Sequence, residues 1–171
     1  MKISPNVRWS LLVLLLAKAV LLTVLVSMVC CCGASRRGRI PEGPIEFATV
    51  ALGQHSLVDT AAVFLVKDST EWTRIWQLAE GNKDPLPPAP GLNFADSMLV
   101  AAFLGRRTSA GHEIDIAEIT REETKLRITI KTSFRAGGAI LPVLTSPYHI
   151  VRIPRGDYEL VVEYQTEENE K

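Results

Sequence analysis

The chain has 171 residues, which is enough for one domain and too few for two substantial ones. Its 19 Lys and Arg residues balance its 19 Asp and Glu residues, and beyond Cys32 the acids exceed the bases by about three. A surface that binds nucleic acid needs a basic excess or a basic stripe, so this charge argues against a nucleic-acid partner.

Residues 1–32 are predicted to insert into a membrane. From Leu11 to Cys32 Lys18 is the only charged residue, and the Leu and Val residues of this stretch outweigh the cost of about 3 kcal/mol for one central lysine. Lys2 and Arg8 precede the apolar stretch, as in a signal peptide. We therefore expect either a cleaved lipoprotein-type signal or an uncleaved anchor, with the following domain outside the cytoplasm.

The three cysteines, Cys30, Cys31 and Cys32, are consecutive and end the apolar stretch. With Gly33 after them and Val29 three positions before Cys32, they are similar to a bacterial lipoprotein signal, in which one cysteine carries the lipid. All three are candidate lipidation sites, and an uncleaved anchor or palmitoylated thiols are the alternatives. No cysteine remains downstream for a disulfide or for a cysteine-based zinc site.

A linker, a β-rich domain and a short tail are expected beyond Cys32. Residues 33–44 are rich in Gly, Pro and Arg, which is typical of a flexible tether. We place the domain at residues 45–166. Residues 167–171 contain three glutamates and are expected to form a solvated acidic tail.

The first elements of the domain are predicted to be two strands and a helix. "IEFATVAL" and "TAAVFLVKD" have the β-branched and apolar content of strands. Asp68 and Glu71 fit a capping box at the start of the helix, and Gly81 with Asn82 suits a left-handed stop at its end. One apolar stripe at helical spacing is expected to face the core: Trp72, Ile75, Trp76 and Ala79.

The second half of the domain is predicted to consist of consecutive strands. A polar, Pro-rich loop from Asn82 to Asn93 comes first and is expected to pack on the domain surface. The strands are "SMLVAAFLG", "HEIDIAEI", "LRITIKTSF", "PYHIVRIP" and "YELVVEYQ". Their short connections, without intervening helices, predict antiparallel pairing. The expected fold class is therefore α+β and mostly β, a small antiparallel β-sandwich or barrel-like sheet packed with one amphipathic helix.

The stretch "LTSPYHIVRIPR" holds Ser146, Tyr148 and His149 within four residues and raises the question of catalysis. Ser146 lacks the G-x-S-x-G elbow, and adjacent strand residues such as Tyr148 and His149 point to opposite faces. There are only three histidines, no H-E-x-x-H spacing and no phosphate-binding glycine motif. We expect no catalytic residue, no metal and no cofactor, and a structural role for His149 in its sheet.

The same stretch resembles the C-terminal domain family of PrcB, a subunit associated with a protease complex in the bacterial cell envelope. The resemblance spans Val66 to about Tyr164. Four motifs carry it: Trp72 with Trp76, Asn93-Phe94 leading to Gly105, the turn Ser109 to His112, and the strand Thr145 to Pro154. The turn departs from the family pattern, because Ala110 and His112 replace a glycine and a tyrosine.

The resemblance implies a non-enzymatic accessory lipoprotein of the bacterial cell envelope that binds or stabilises an exported protease or another envelope protein. Six residues are candidates for partner contact, or for holding the two motif turns against each other: Gly111, His112, Ser146, Pro147, Tyr148 and His149. Two alternatives stay open. One is a small β-fold protease inhibitor of the chagasin type, and the other is a structural envelope lipoprotein that contacts cell-wall material.

Overall fold

Two four-stranded sheets and one helix make up the part of the chain that the computed structural model describes, residues 42–135 and 142–169. The elements in chain order are β1 (Gly43–Pro44), β2 (Ala48–Gly53), β3 (Ala62–Val66), α1 (Ser69–Glu80), β4 (Ser97–Phe103), β5 (His112–Glu122), β6 (Lys125–Arg135), β7 (Tyr148–Pro154) and β8 (Glu159–Asn169). The predicted membrane segment and the three cysteines lie outside the described residues. Among the described residues, no helix combines the length and apolar content that a bilayer crossing requires.

The strand order is β1-β5-β6-β8 in the first sheet and β2-β7-β4-β3 in the second. A mostly β domain of two sheets with one helix confirms the fold class predicted from the sequence. Every strand pair is antiparallel except β6 and β8, which run parallel over their whole length. The expectation of antiparallel pairing is therefore wrong for this one pair.

The parallel pair follows from the position of β7. After β6 the chain crosses to the second sheet, where β7 lies between β2 and β4, and it then returns to the first sheet as β8. Because β7 reverses the chain direction in the other sheet, β8 enters beside β6 in the same direction as β6. Parallel neighbours need such a crossover connection, and here a strand of the other sheet serves as the crossover.

The interior strand β4 of the second sheet is buried on both faces. Leu99, Ala101 and Phe103 of β4 pack in one core cluster with the apolar face of α1. Side chains alternate along a strand, so Met98 and Val100 point to the opposite face, and both are fully buried there. This arrangement confirms that the apolar run "SMLVAAFLG" is a strand covered on both sides.

The helix begins and packs as its sequence predicts. The Asp68 carboxylate accepts a hydrogen bond from the Glu71 N–H at 2.8 Å, which satisfies one of the free donors of the first turn. The predicted stripe is buried, with Trp72, Ile75, Trp76 and Ala79 all facing the core.

The end of the helix differs from the prediction. Gly81 has φ −67°, a right-handed conformation, so it does not provide the left-handed stop expected from its residue type. A Cβ at this position would lie 2.3 Å from the Gln77 carbonyl oxygen and 2.8 Å from the Leu57 side chain. Close approach of neighbouring atoms, and not backbone handedness, therefore requires glycine here.

The Pro-rich loop is held against the helix by the two tryptophans. The indole N–H of Trp72 donates to the Pro90 carbonyl at 3.0 Å, and that of Trp76 donates to the Pro87 carbonyl at 2.8 Å. These carbonyls suit the loop's composition, because proline supplies an acceptor and no backbone donor. The loop thus packs on the surface of the domain, as its length and composition predict.

The sheets extend slightly beyond the boundaries we expected. Gly43 and Pro44, placed in the linker from the sequence, pair with Thr120 and Arg121 of β5. At the other end, β8 runs to Asn169 and includes three residues that we placed in the acidic tail. Backbone pairing with β6 accounts for this extension, because a ladder of main-chain hydrogen bonds tolerates glutamate at an edge.

Candidate functional site

The predicted site residues from Ser146 to His149, here called the SPYH segment, enter the interior strand β7. Ser146, Tyr148 and His149 are only 6%, 2% and 3% exposed, and Pro147 is buried too. A residue this deeply buried offers a partner almost no surface. This burial is what a structural role for the SPYH segment predicts, and partner contact by these four residues stays a prediction.

Tyr148 points toward the helix. Its hydroxyl donates a hydrogen bond to the carboxylate of Glu80, the last residue of α1, and its ring packs on Phe103 with centroids 5.9 Å apart. The Glu80 carboxylate also pairs with Lys83. Gly53 of β2 lies against the same ring, where a Cβ would be only 2.5 Å from Tyr148 Cε1. The helix and two strands of the second sheet thus meet on this tyrosine.

Charge and burial act together at this contact. Burial would raise the pKa of Glu80, but hydrogen bonds from Lys83 and Tyr148 outweigh burial, and its pKa lies below the ordinary value of 4.5. Burial, and then the neighbouring Glu80 carboxylate, raise the pKa of Tyr148. The pair is therefore a carboxylate and a neutral phenol at neutral pH.

His149 points the other way and joins the two sheets. Its Nε2 lies 2.9 Å from the Thr49 hydroxyl of β2, and its Nδ1 accepts a hydrogen bond from the Ile116 N–H of β5 at 3.0 Å. The Asp115 carboxylate is also 3.0 Å from Nδ1. The Ile116 N–H is available because the register between β5 and β6 shifts between Ile116 and Glu118.

Thr49, His149 and Asp115 have the order of a nucleophile, a base and an orienting carboxylate. The hydrogen bond from the Ile116 N–H bears on which ring nitrogen of His149 carries the proton. With Nδ1 accepting that bond, the ring proton lies on Nε2 and is donated to the Thr49 hydroxyl; in the other tautomer Nδ1 would donate to Asp115 and Nε2 would accept from Thr49. In the first tautomer Nε2 cannot remove the threonine proton, and in both tautomers the ring connects β7 to β2 and to β5.

Burial lowers the pKa of His149, and the Asp115 carboxylate offsets that effect only in part. The ring is therefore neutral at neutral pH, which agrees with its acceptance of the Ile116 N–H. In its protonated form Nδ1 would carry a hydrogen and would face Asp115 instead of accepting from Ile116.

Ser146 is also committed to structural bonds. Its hydroxyl donates to the Val58 carbonyl at 2.6 Å and lies 2.7 Å from the Ser56 hydroxyl. Its backbone N–H donates to Gln54 and its carbonyl accepts from the Ser56 N–H. The serine therefore ties the segment after β2 to the start of β7.

The second motif turn adjoins the SPYH segment. The Thr145 hydroxyl donates to the Ser109 carbonyl at 3.2 Å, and the Ser109 hydroxyl lies 3.1 Å from Nε2 of His112. The His112 ring stacks on Phe134 at 4.7 Å, and burial with nearby Arg107 lowers the pKa of His112. Gly111 has φ +93°, a conformation that favours glycine. The turn and the strand entrance thus buttress each other, and partner contact by Gly111 and His112 stays a prediction.

Exposed apolar side chains lie beside these buried groups. The described residues include six exposed large hydrophobic side chains, and four of them lie on the two segments that meet at Ser146. We call these four the apolar rim: Leu52 (62% exposed), Leu57 (54%), Val143 (45%) and Leu144 (61%). A groove of roughly 440 Å³ borders the rim between β2 and β5, with Leu52, Gln54, Asp115 and Pro147 in its walls.

Sequence reasoning missed three members of the polar cluster, Thr49, Glu80 and Asp115. Each reaches the SPYH segment from a distant part of the chain, and Thr49 is 100 residues from His149. Asp115 alternates with buried isoleucines and therefore resembles a solvent-facing strand residue. No group of His, Cys, Asp or Glu in the described ranges is arranged to hold a metal ion.

The fold and this cluster define a small two-sheet domain in which buried polar residues connect the two sheets and the helix. Comparison with family models gives a more specific result. The model of the family described as PrcB C-terminal matches residues 98–154, from β4 to the end of β7. This match confirms the resemblance seen in the sequence motifs.

The match covers about one third of the chain and includes all six predicted partner-binding residues. The helix with Trp72 and Trp76 lies outside it, so this part of the resemblance depends on the motif alone. No curated protein and no solved structure is significantly similar to the chain.

Proposed function

We propose that the chain is a non-enzymatic binding protein of the bacterial cell envelope that acts as an accessory subunit of an exported protease. The match to the PrcB C-terminal family over residues 98–154 supports this function, because PrcB is itself associated with a protease complex. In this proposal the N-terminal segment, with lipid on Cys32, Cys31 or Cys30, anchors the chain in the membrane, and the β-rich domain lies outside the cytoplasm.

The apolar rim is the observation that carries the binding role. Single exposed hydrophobic residues are common on protein surfaces, whereas several on adjoining segments are typical of an interaction site. Leu52 lies two residues before Gln54, and Leu144 two residues before Ser146, and Gln54 and Ser146 are joined by a backbone hydrogen bond of 2.8 Å. The SPYH segment would then position the rim, and the rim would contact the protease.

The non-enzymatic part of the proposal is supported by the hydrogen bonds of the polar cluster. Ser146 donates its hydroxyl proton to a main-chain carbonyl, and the proton on Nε2 of His149 is held by Thr49. A nucleophile needs a free base beside it. Both hydroxyls that could serve as nucleophiles are thus occupied by structural bonds.

The test is co-purification of the full-length protein from native envelopes after brief crosslinking, followed by mass spectrometry of the bound proteins. Leu52→Ser and Leu144→Ser remove apolar area from the rim, and Leu86→Ser is the matched control because Leu86 is 41% exposed on the Pro-rich loop. We expect an exported protease in near-equal amount with the native chain and with Leu86→Ser, and much less with the rim variants.

The lifetime of the captured protease separates the proposed function from its rivals. A stabilising subunit lengthens that lifetime and leaves proteolytic activity intact. Loss of activity on addition of the purified protein would instead identify an inhibitor. Recovery of cell-wall material alone would identify a structural envelope protein and overturn the proposal.

A further inference from the structure

The edge of the first sheet at β8 carries a separate interaction surface. Within the described ranges, β8 is paired on one side only, with β6. It is 11 residues long, its register with β6 has no shift, and it contains neither proline nor lysine. Natural proteins usually protect an edge strand with charged side chains, a bulge, a proline or short length, and of these β8 has only charged side chains, all of them acidic.

The other three edge strands differ from β8. β1 has two residues and ends in Pro44, and β3 has five residues. The register between β2 and β7 shifts between Thr49 and Ala51, and such a bulge twists an edge away from a partner. Among the edges that the structure describes, β8 is therefore the one best suited to accept another strand.

One face of β8 continues the apolar layer of β6. Leu160, Val162 and Tyr164 lie opposite Leu126, Ile128 and Ile130 in the register. The three residues of β6 are fully buried, whereas Leu160 and Val162 are only partly buried and Tyr164 is 50% exposed. The apolar side chains of this face are therefore fully buried on β6 and only partly buried on β8. A further strand beside β8 would extend the apolar face and bury more of it.

The other face is acidic. β8 contains four glutamates and no basic residue. Two of them, Glu159 and Glu163, alternate with the apolar residues and are exposed. Glu163 shares the Arg127 guanidinium with Glu122, so a single cation serves two carboxylates there. On this face β6 carries Lys125, Arg127 and Lys131, whereas β8 itself has no basic residue, so an incoming strand could set Lys or Arg beside Glu159 and Glu163 on their open side.

We infer that β8 is an acceptor edge for an extended segment of another protein in which apolar residues alternate with Lys or Arg. Main-chain hydrogen bonds to the free edge would supply affinity, and alternate side chains would supply selectivity, as in other cases of strand addition. A second copy of this chain fits less well. If two β8 strands pair antiparallel with Glu159 of one copy opposite Glu163 of the other, symmetry creates a second such pair. Like charges directly opposite each other are destabilising.

The edge can be probed without knowledge of the natural partner. The probe is a short synthetic peptide of alternating Lys and Val, mixed with the full-length protein in mild detergent. The readouts are affinity and amide hydrogen exchange along β8. A peptide of alternating Glu and Val is the matched control for the probe.

We expect the Lys-Val peptide to bind, to slow exchange of β8 amides, and to bind at least about tenfold more tightly than the Glu-Val peptide. Glu159→Lys combined with Gln165→Lys should weaken binding about fivefold to tenfold. Glu118→Lys, on the interior strand β5, makes the charge change of Glu159→Lys alone and should have little effect.

Three results would overturn this inference: no binding, binding that leaves β8 exchange unchanged, or self-association of the protein through β8 in place of peptide binding. None of them bears on the apolar rim, because the peptide test uses no protease and alters no rim residue. If the protein binds the Lys-Val peptide but captures no protease, only the proposed function is rejected.

Discussion

The backbone N–H of Ile116 in the first sheet donates to Nδ1 of His149 in the second sheet at 3.0 Å. This bond connects the interior strand of one layer to a bulge in the other. It also places the ring proton on Nε2, so one hydrogen bond joins the sheets and sets the tautomer in which His149 donates to Thr49.

Replacement of His149 by alanine should destabilise the domain by about 2–4 kcal/mol, because it opens a cavity and leaves the buried Ile116 N–H without its acceptor. Urea unfolding followed by circular dichroism measures the loss. His112→Ala is the comparison, since the His112 ring is only partly buried and should cost less. Equal losses for the two variants would contradict the role assigned to His149.

The stability of the native domain should fall as pH decreases below 6.5. The folded-state pKa of His149 is lowered by burial, so below 6.5 the unfolded chain binds a proton that the folded chain does not. The stability tied to this group is complete above 6.5 and is lost as pH falls toward the folded-state pKa. Unfolding free energies measured across this range should lose part of their slope in His149→Gln and keep it in His55→Gln, where the side chain is exposed.

Tyr148→Phe should cost about 1.5–3 kcal/mol, the usual value for a hydrogen bond to a charged group. Thermal unfolding of this variant can be compared with that of Tyr164→Phe, where the side chain is half exposed and the cost should be close to zero. A cost for Tyr164→Phe as large as that for Tyr148→Phe would show that the Glu80 contact is not the cause.

Acid should remove the contribution of Glu80 in a lower pH range. Its folded-state pKa is lowered by Lys83 and Tyr148 in spite of burial, so its stabilisation is complete above the ordinary value of 4.5 and is lost as pH falls through the folded-state pKa. Lys83→Met should reduce the fall in stability over this range. An unchanged acid titration in Lys83→Met would contradict this assignment.

Gly53→Ala should destabilise the domain by about 1–3 kcal/mol, because its Cβ would come within 2.5 Å of the buried Tyr148 ring. Gly91→Ala is a matched control, since a Cβ there meets nothing within 4 Å. Denaturant midpoints of the two variants give the comparison directly. A stable Gly53→Ala protein would mean that the tyrosine can move without loss.

Trp76→Phe should loosen the Pro-rich loop, because phenylalanine cannot donate to the Pro87 carbonyl. We expect faster amide exchange near Pro87 and a stability loss of about 1 kcal/mol or more. Trp72→Phe should produce its effect near Pro90 instead. If both variants speed amide exchange equally along the whole loop, the two tryptophan hydrogen bonds do not hold separate parts of it.

The helix could be predicted almost completely from local sequence. Asp68 marks its start and the stripe from Trp72 to Ala79 marks its buried face, because capping and helical periodicity involve residues a few positions apart. Gly81 shows the limit of this reasoning. Its residue type was recognised, but the contacts that require it come from Gln77 and from Leu57, a residue outside the helix.

Every strand except β1 was predicted individually, but the arrangement of the strands was not. Alternation identifies a strand and its faces, yet it says nothing about which neighbour the strand acquires. The parallel pairing of β6 with β8 depends on β7 leaving for the other sheet. The cluster around His149 has the same origin, because Thr49 and Asp115 reach the histidine only through that sheet order.

The place of β7 between β2 and β4 also has a consequence for biosynthesis. β2 is among the first parts of the domain to be made, and its only strand partner among the described residues follows about a hundred residues later. β8, which completes the other sheet, is made later still. The second sheet therefore cannot be complete before β7 has been made, nor the first before β8, although the β3–β4 and β5–β6 pairs can form earlier. Pairings this distant in sequence slow folding.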